Sequence, residues 1–175
     1  MINMAQRDPG PPRRHQVERR LVAEWLASRY PDAYTEQNVR LGSMPLEFGN
    51  QDLDPMEAKL VHNAFARWAD AIVYLDDRVI VVEGKIVAHP VALGQLQLYK
   101  RLLPFTPTIA LAPRARIELR LVYGVPDELV VAMAREQGIE VEQFKPAWVD
   151  EYLNTRFHRQ RGAPLAQRMA DGTAA

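Results

Sequence analysis

The chain has 175 residues, of which 47% are hydrophobic and 25% charged, a composition that is typical of one globular domain and excludes a disordered polypeptide. Lys and Arg together number 22, as do Asp and Glu, so the whole chain has no net charge that would attract a polyanion. Because cysteine is absent, disulfides, thiolate metal sites, iron–sulfur clusters and cysteine nucleophiles are excluded.

The apolar residues occur in short runs. No run approaches the roughly 18 residues that a membrane-spanning helix needs, and the charged first residues are not followed by an apolar stretch. We therefore expect no membrane partner and no secretory signal. The lack of cysteine favours a reducing, cytoplasmic location.

Helical and strand periodicities predict nine elements in the order α-β-β-β-α-β-α-β-α. They are a helix over 13–29, strands over 34–41, 68–75 and 78–87, a helix over 91–103, a strand over 116–123, a helix over 127–137, a strand over 139–144 and a helix over 146–157. This order indicates an α/β fold with a central mixed sheet flanked by helices.

The segments between and around these elements set the domain organisation. Residues 44–58 have no regular pattern and predict a surface excursion, with a helical turn or two expected within 57–68. We expect a flexible N-terminus over 1–12, a single domain over 13–159 and a frayed tail over 160–175.

Polar residues interrupt two neighbouring strands where the pattern calls for apolar ones. Asp70 lies within one strand, and Glu83 and Lys85 lie within the most hydrophobic strand of the chain. If the hairpin turns at Asp76-Asp77, position 70 lies opposite position 83, and Glu83 and Lys85 share a face because strand side chains alternate. Two carboxylates and an ammonium are therefore predicted to converge at one point of the sheet.

This convergence has two interpretations. Two buried carboxylates repel each other unless a cation lies between them, and Mg²⁺ prefers such oxygen ligands. Lys85 could then position a water molecule or offset charge on a phosphate, while Gly84 permits close approach and offers its carbonyl as a further ligand. The alternative for Glu83 and Lys85 is a structural salt bridge between strands.

The next helix carries Gln95 and Tyr99, four residues apart and therefore on one face. Asp70, then Glu83-Gly84-Lys85, then Gln95-x-x-x-Tyr99 resemble the PD-(D/E)XK nuclease superfamily, with its restriction-endonuclease-like fold, and in particular its RecB-like branch. The resemblance implies an α-β-β-β-α-β core, to which this chain adds a C-terminal helix-strand-helix. Ala69 stands where the family's name-giving proline would be.

The resemblance also implies an activity. It is Mg²⁺-dependent hydrolysis of phosphodiester bonds by activated water, with Mn²⁺ as a substitute ion. Asp70 and Glu83 would be metal ligands, and Lys85 would be the catalytic base or the residue that positions the water. Gln95 and Tyr99 would support the site and the nucleic-acid backbone.

Other residues are candidates for the same site. In the family the first helix often supplies an acid near the metal, and here Glu18 is the first candidate and Glu24 the second; the alternative for Glu18 is a solvated ion pair with Arg14 or Arg20. Arg14 lies in an Arg-rich segment suited to gripping nucleic acid. His89 follows the active strand and is either a substrate contact or a surface or capping residue.

The expected partner is nucleic acid, DNA in the first instance, with a homodimer as an option because small relatives of this fold often pair. A compact nuclease of this kind would suit a phage or mobile element. No motif of the form G-x-x-x-x-G-K-[ST] occurs, so an ATP-driven motor would be a separate protein. Two alternatives from other classes are a non-cleaving nucleic-acid-binding or assembly subunit and a plain structural domain with a buried ion pair.

Overall fold

The computed structural model describes residues 14–42, 67–109 and 115–162, together with residues 54 and 56. Its helices and strands are α1 (Arg14–Arg29), β1 (Tyr34–Leu41), β2 (Arg67–Tyr74), β3 (Arg78–Val87), α2 (Pro90–Leu102) followed by a 3-10 turn (Leu103–Phe105), β4 (Arg116–Val125), α3 (Glu128–Glu136), β5 (Glu140–Gln143) and α4 (Trp148–Gly162). The predicted order of elements is confirmed over these residues.

The sheet is mixed, as predicted. Its five strands lie in the order β1-β2-β3-β4-β5. β1, β2 and β3 form an antiparallel meander, whereas β4 and β5 each pair in parallel with the preceding strand of the sheet. β3 is therefore the strand at which the antiparallel half meets the parallel half, and it is buried along most of its length.

Helices cover both faces of this sheet. On one face the apolar sides of α2 and α3 join Val79, Val81 and Leu121 in one hydrophobic cluster. The alternate residues of β3 point to the other face, where α1 packs and where the backbone of Gly84 lies against Val22. The buried side chains of α1 are Val17, Leu21, Val22, Trp25 and Leu26, the apolar stripe of its sequence.

Two helix boundaries follow their sequence signals. The Asp127 side chain accepts hydrogen bonds from the amides of Leu129 and Val130 and so caps α3. Gly138, with a φ of +68°, takes the left-handed conformation that ends the helix. Both were predicted.

Some predicted boundaries were wrong. Gly124 and Val125 were expected to end the fourth strand, but β4 continues through them because Val125 pairs with Val87 of β3. The last helix extends to Gly162 and so includes three residues of the expected frayed tail. The expected flexible N-terminus, the predicted turns over 57–66 and residues 163–175 lie outside the described residues.

The chain divides into two compact units, Met1–Phe144 and Lys145–Ala175. The first contains the whole sheet and α1 to α3, and the second contains α4. Within the second unit an ion pair joins Lys145 Nζ and Asp150 Oδ1 at 2.7 Å. In the described part of the chain, no helix combines the length and the apolar character needed to cross a lipid bilayer.

Candidate metal-binding and catalytic site

The candidate site lies where β2 separates from β3. Their antiparallel ladder runs from the hairpin to the pair Ala71 and Val82 and stops there. The register predicted from the turn at Asp76-Asp77 is confirmed over the four pairs of this ladder, which ends one residue before the predicted pair of positions 70 and 83. Beyond the ladder, Asp70 Oδ2 accepts a hydrogen bond from the Gly84 amide at 2.8 Å. A carboxylate therefore satisfies an amide that a regular ladder would have paired with backbone.

β1 is irregular at the position that faces Asp70. Its pairing with β2 skips Asn38, which lies across from Asp70 and has a φ of +53°. Asn is one of the few residues that adopt this left-handed conformation at low cost. The Asn38 side chain accepts a hydrogen bond from Arg19 of α1. This contact connects the irregular part of β1 to the first helix.

Glu83 and Lys85 are in direct contact. The Lys85 Nζ atom lies 2.6 Å from Glu83 Oε1 and 3.1 Å from the Gly84 carbonyl oxygen. Glu83 is only 3% exposed, and its second oxygen, Oε2, is buried with no hydrogen-bond partner among the described residues. An ion pair between Glu83 and Lys85 therefore exists, but it leaves one carboxylate oxygen unsatisfied.

Glu18 brings a third carboxylate from α1. It is 7% exposed, and its Oε2 atom lies 3.7 Å from Lys85 Nζ. The expected alternative was a solvated ion pair of Glu18 with Arg14 or Arg20. Glu18 is buried and therefore not solvated, Arg20 pairs with Glu24 at 2.7 Å, and the Arg14 side chain lies outside the described residues. Of the two acids that were candidates on the first helix, the one that reaches the site is Glu18.

Gly84 determines how closely α1 approaches. A Cβ atom at this position would clash with Val22 and would lie 3.5 Å from the Glu18 carbonyl oxygen and 3.6 Å from Asp70 Oδ2. Glycine is therefore required for the helix to bring Glu18 beside the end of β3. The Gly84 carbonyl, a predicted further ligand, is occupied by Lys85 Nζ.

The acidic groups of this cluster act on one another and on Lys85. Glu18, Asp70 and Glu83 all lie close enough to the Lys85 ammonium to raise its pKa. Burial and then the neighbouring Asp70 carboxylate raise the pKa of Glu83 to about 7. Burial also raises the pKa of Asp70, against the opposing effects of the Gly84 amide and Lys85. Burial alone would lower the pKa of Lys85, but Glu83 and Glu18 raise it above its ordinary value.

Gln95 and Tyr99 are connected to the site through β2. The Gln95 amide nitrogen donates to the Tyr99 hydroxyl at 3.2 Å, and that hydroxyl donates to the Trp68 carbonyl at 2.8 Å. Tyr99 is 2% exposed, and burial, followed by Glu83 and Asp70, raises the pKa of its hydroxyl. The Tyr99 hydroxyl therefore contacts the backbone two residues before Asp70, and it also lies within hydrogen-bonding reach of the Glu83 side chain. Gln95 Oε1 is buried without a partner among the described residues.

The remaining predicted residues lie at the margin. His89 is exposed and caps α2, its Nδ1 accepting from the Val91 amide at 3.3 Å, which is the capping alternative given by the sequence. Arg14 is the first residue of α1, and its side chain lies outside the described residues.

Sequence reasoning missed two residues near Asp70. His15 lies close enough to lower the pKa of Asp70, and it precedes Glu18 by one helical turn, a spacing that could have identified it. Trp68, which no motif of the sequence singled out, is 46% exposed. Its strand position two residues before Asp70 was the available signal.

The donors fit a hard divalent cation. The unsatisfied oxygen of Glu83 and the neighbouring carboxylate of Asp70 are oxygen donors that Mg²⁺ or Mn²⁺ would complement. Within the described residues no group of three His, Cys, Asp or Glu side chains is arranged to hold a metal ion. Mg²⁺ commonly takes one or two carboxylates and keeps several waters, so two protein ligands would suffice.

Comparison with known proteins gives a single structural likeness to report. No protein-family model matches the chain, and no curated protein matches it. A crystal structure of a protein of unknown function, AF1548, is similar over 81% of this chain with 14% sequence identity and a TM-score of 0.38. The match spans 64% of the length of that protein.

Proposed function

We propose that this protein is a metal-dependent nuclease of the PD-(D/E)XK type that hydrolyses phosphodiester bonds of DNA. The observation that carries the proposal is the buried, unpaired Oε2 of Glu83 beside the buried carboxylate of Asp70, which raises the pKa of Glu83. A buried carboxylate oxygen without a partner is costly, and in a cluster of acids it indicates that a cation belongs there.

The order α1-β1-β2-β3-α2-β4 agrees with the core expected for that superfamily, and this agreement supports the assignment. Asp70 and Glu83 stand on adjoining strands, Lys85 follows on β3, and Gln95 and Tyr99 stand on the next helix. The restriction-endonuclease-like fold and its activity are therefore proposed together.

Asp70 and Glu83 would hold the metal, with Glu18 beside them. When bound, Mg²⁺ would lower the pKa of a coordinated water and provide positive charge near the scissile phosphate. The Gly84 amide holds Asp70 in place, and the short backbone of Gly84 allows α1 to bring up Glu18. Both contacts preorganise the acidic oxygens before any ion arrives.

Lys85 acts as a donor in this proposal. Its raised pKa favours the ammonium form, which cannot accept a proton but can hold a water molecule or offset charge on the phosphate. Of the two roles that the family resemblance allows, the structure thus supports water positioning over general-base catalysis. Tyr99 and Gln95 stabilise the start of β2 and so fix the backbone position of Asp70 in the site.

Cleavage of plasmid and single-stranded DNA with Mg²⁺ or Mn²⁺ tests the proposal. Asp70→Asn, Glu83→Gln and Lys85→Met should each lower the cleavage rate by about 100-fold or more. Asp76→Asn, Glu140→Gln and Lys100→Met are matched controls, because all three residues are exposed and lie outside the cluster. Undiminished cleavage by any of the site variants would refute the assignment of its residue.

Calorimetric titration with Mg²⁺ separates the proposal from the non-cleaving alternative. Binding that is lost in Asp70→Asn and retained in Asp76→Asn is the expected result. DNA binding without metal binding or cleavage would instead identify a nucleic-acid-binding subunit with the same fold.

A further inference from the structure

An exposed aromatic side chain adjoins the candidate site. Trp68 is 46% exposed, although tryptophan is usually highly buried, and its strand neighbour Ala69 points into the hydrophobic cluster on the α2 face. Side chains alternate along a regular strand, so Trp68 points to the opposite face, and two residues further along Asp70 lies near Glu18 and His15 of α1. The Cα atoms of Trp68 and Asp70 are about 7 Å apart, twice the rise per residue of a strand.

The backbone of Trp68 is fixed while its ring is accessible. The Trp68 carbonyl accepts the Tyr99 hydroxyl at 2.8 Å, and Trp68 pairs with Arg40 across the β1–β2 ladder. The Arg40 guanidinium carbon lies 5.9 Å from the centroid of the Trp68 ring, which is within cation–π range. The ring is therefore already ordered against a guanidinium. Stacking of a base on it would cost little further conformational entropy.

Arginine residues lie beside this ring. Arg40 and Arg67 stand next to it on the two strands, and Arg19 reaches Asn38 on the same edge. A cationic rim beside an exposed aromatic is the combination by which proteins bind single-stranded nucleic acid, whose unpaired bases stack on the ring while phosphates meet the arginines.

We infer that Trp68, backed by Arg40, is a stacking platform for an unpaired base of single-stranded DNA next to the scissile phosphate. This inference rests on the proposed function, because it gives the nuclease its preferred substrate class. Bases of an intact duplex are stacked on one another and offer no free face, so the platform favours single strands over duplex.

Fluorescence binding measurements without divalent ions test the platform independently of cleavage. Stacking of a single-stranded oligonucleotide should quench tryptophan fluorescence in the wild type and in Trp148→Phe, but not in Trp68→Phe. Trp68→Ala should raise the Kd for the single strand by about tenfold and change duplex binding by less than about twofold. Arg40→Lys, which keeps the charge and loses the planar group, should weaken single-strand binding by a smaller factor.

An oligonucleotide with abasic positions completes the design. If Trp68 stacks on a base, the losses of binding free energy from removing the bases and from removing the ring should not add. Trp68→Ala should then bind intact and abasic strands equally. Additive losses, or equal losses for single strand and duplex, would overturn the inference. Should Trp68→Ala fail to fold, Trp68→Leu, which also lacks a ring, provides the same comparison.

Cleavage assays on the same variants separate the two proposals. Single-strand binding that depends on Trp68 without any Mg²⁺-dependent cleavage would overturn the proposed function alone. Cleavage of single strand and duplex at rates that Trp68→Ala does not alter would overturn the platform alone.

Discussion

The carboxylate of Asp70 accepts the amide hydrogen of Gly84 at 2.8 Å, at the point where the backbone ladder between β2 and β3 has ended. This one contact replaces a sheet hydrogen bond with a side-chain bond. It places an acidic group between two strands that would otherwise be joined by their backbones. The site therefore depends on an interruption of regular structure as well as on residue identity.

Gly84→Ala should destabilise the protein by about 1–3 kcal/mol, because the new methyl group would clash with Val22. Gly94→Ala is a matched control: a Cβ at Gly94 of α2 would have nothing within 4 Å, so this variant should be stabilised by up to about 1 kcal/mol. Thermal unfolding measures both changes. Adding Val22→Ala to Gly84→Ala should recover part of the loss, and no recovery would show that the clash is not the cause.

The stability of the metal-free protein should fall as pH rises from about 4.5 to about 7. The pKa of Glu83 is raised from 4.5 to about 7, so the folded protein holds a proton that the unfolded chain has released in this range. The raised pKa of Asp70 acts in the same direction. The loss should be on the order of 2 kcal/mol, or roughly 4–8 °C in Tm.

Unfolding of Glu83→Gln at pH 5 and pH 8 checks this dependence. In Glu83→Gln the free energy of unfolding should fall much less between pH 5 and pH 8 than in the wild type. In Glu140→Gln, at an exposed position of β5, it should fall as in the wild type. Mg²⁺ should restore stability to the wild type at pH 8 more than at pH 5, since only ionised carboxylates bind it. An unchanged decline in Glu83→Gln would contradict the role of this carboxyl group.

Tyr99→Phe should cost about 1–2 kcal/mol of stability, because the Trp68 carbonyl loses its hydroxyl donor in a buried place. It should also weaken Mg²⁺ binding by a modest factor, because the backbone position of Asp70 in the site is no longer fixed. Tyr34→Phe removes an exposed hydroxyl that bonds to Glu36 and should change neither quantity. Equal effects of the two variants in unfolding and calorimetry would argue against a positioning role for Tyr99.

Lys85→Met should separate metal binding from cleavage. Removing the ammonium leaves Glu83 Oε1 without its donor and removes the positive charge beside Glu18, so Mg²⁺ should bind at least as tightly as in the wild type. Single-turnover cleavage should nevertheless fall by about 100-fold. Lys100→Met is the control. Weaker Mg²⁺ binding by Lys85→Met would indicate instead that Lys85 orders the carboxylates.

The sequence predicted the sheet well because its signals were local. The turn at Asp76-Asp77 set the register of β2 and β3, and β-branched residues marked β3 as the buried strand. The extension of β4 through Gly124 and Val125 could not be predicted in the same way. It depends on a parallel partner, Val87, that lies far away in the chain.

The candidate site was predictable in its residues and less so in its contacts. The choice between Glu18 and Glu24 was decided by the packing of α1 on Gly84, which no local pattern contains. Tyr99 was expected to support the site or the nucleic-acid backbone, and its hydroxyl donates to the Trp68 carbonyl, a contact that its spacing from Gln95 does not predict. Such contacts depend on how a helix docks on a sheet, and spacing alone does not determine this.

β3 keeps its parallel pairing with β4 as far as Val87 and Val125, well beyond the last pair that it makes with β2. Glu83 and Lys85 are consequently supported from the β4 side, whereas Trp68 and Arg40 belong to the strands that diverge. For engineering, substitutions along the β1–β2 edge can be screened for altered ligand selectivity while Glu83 and Lys85 of β3 keep the backbone support of β4.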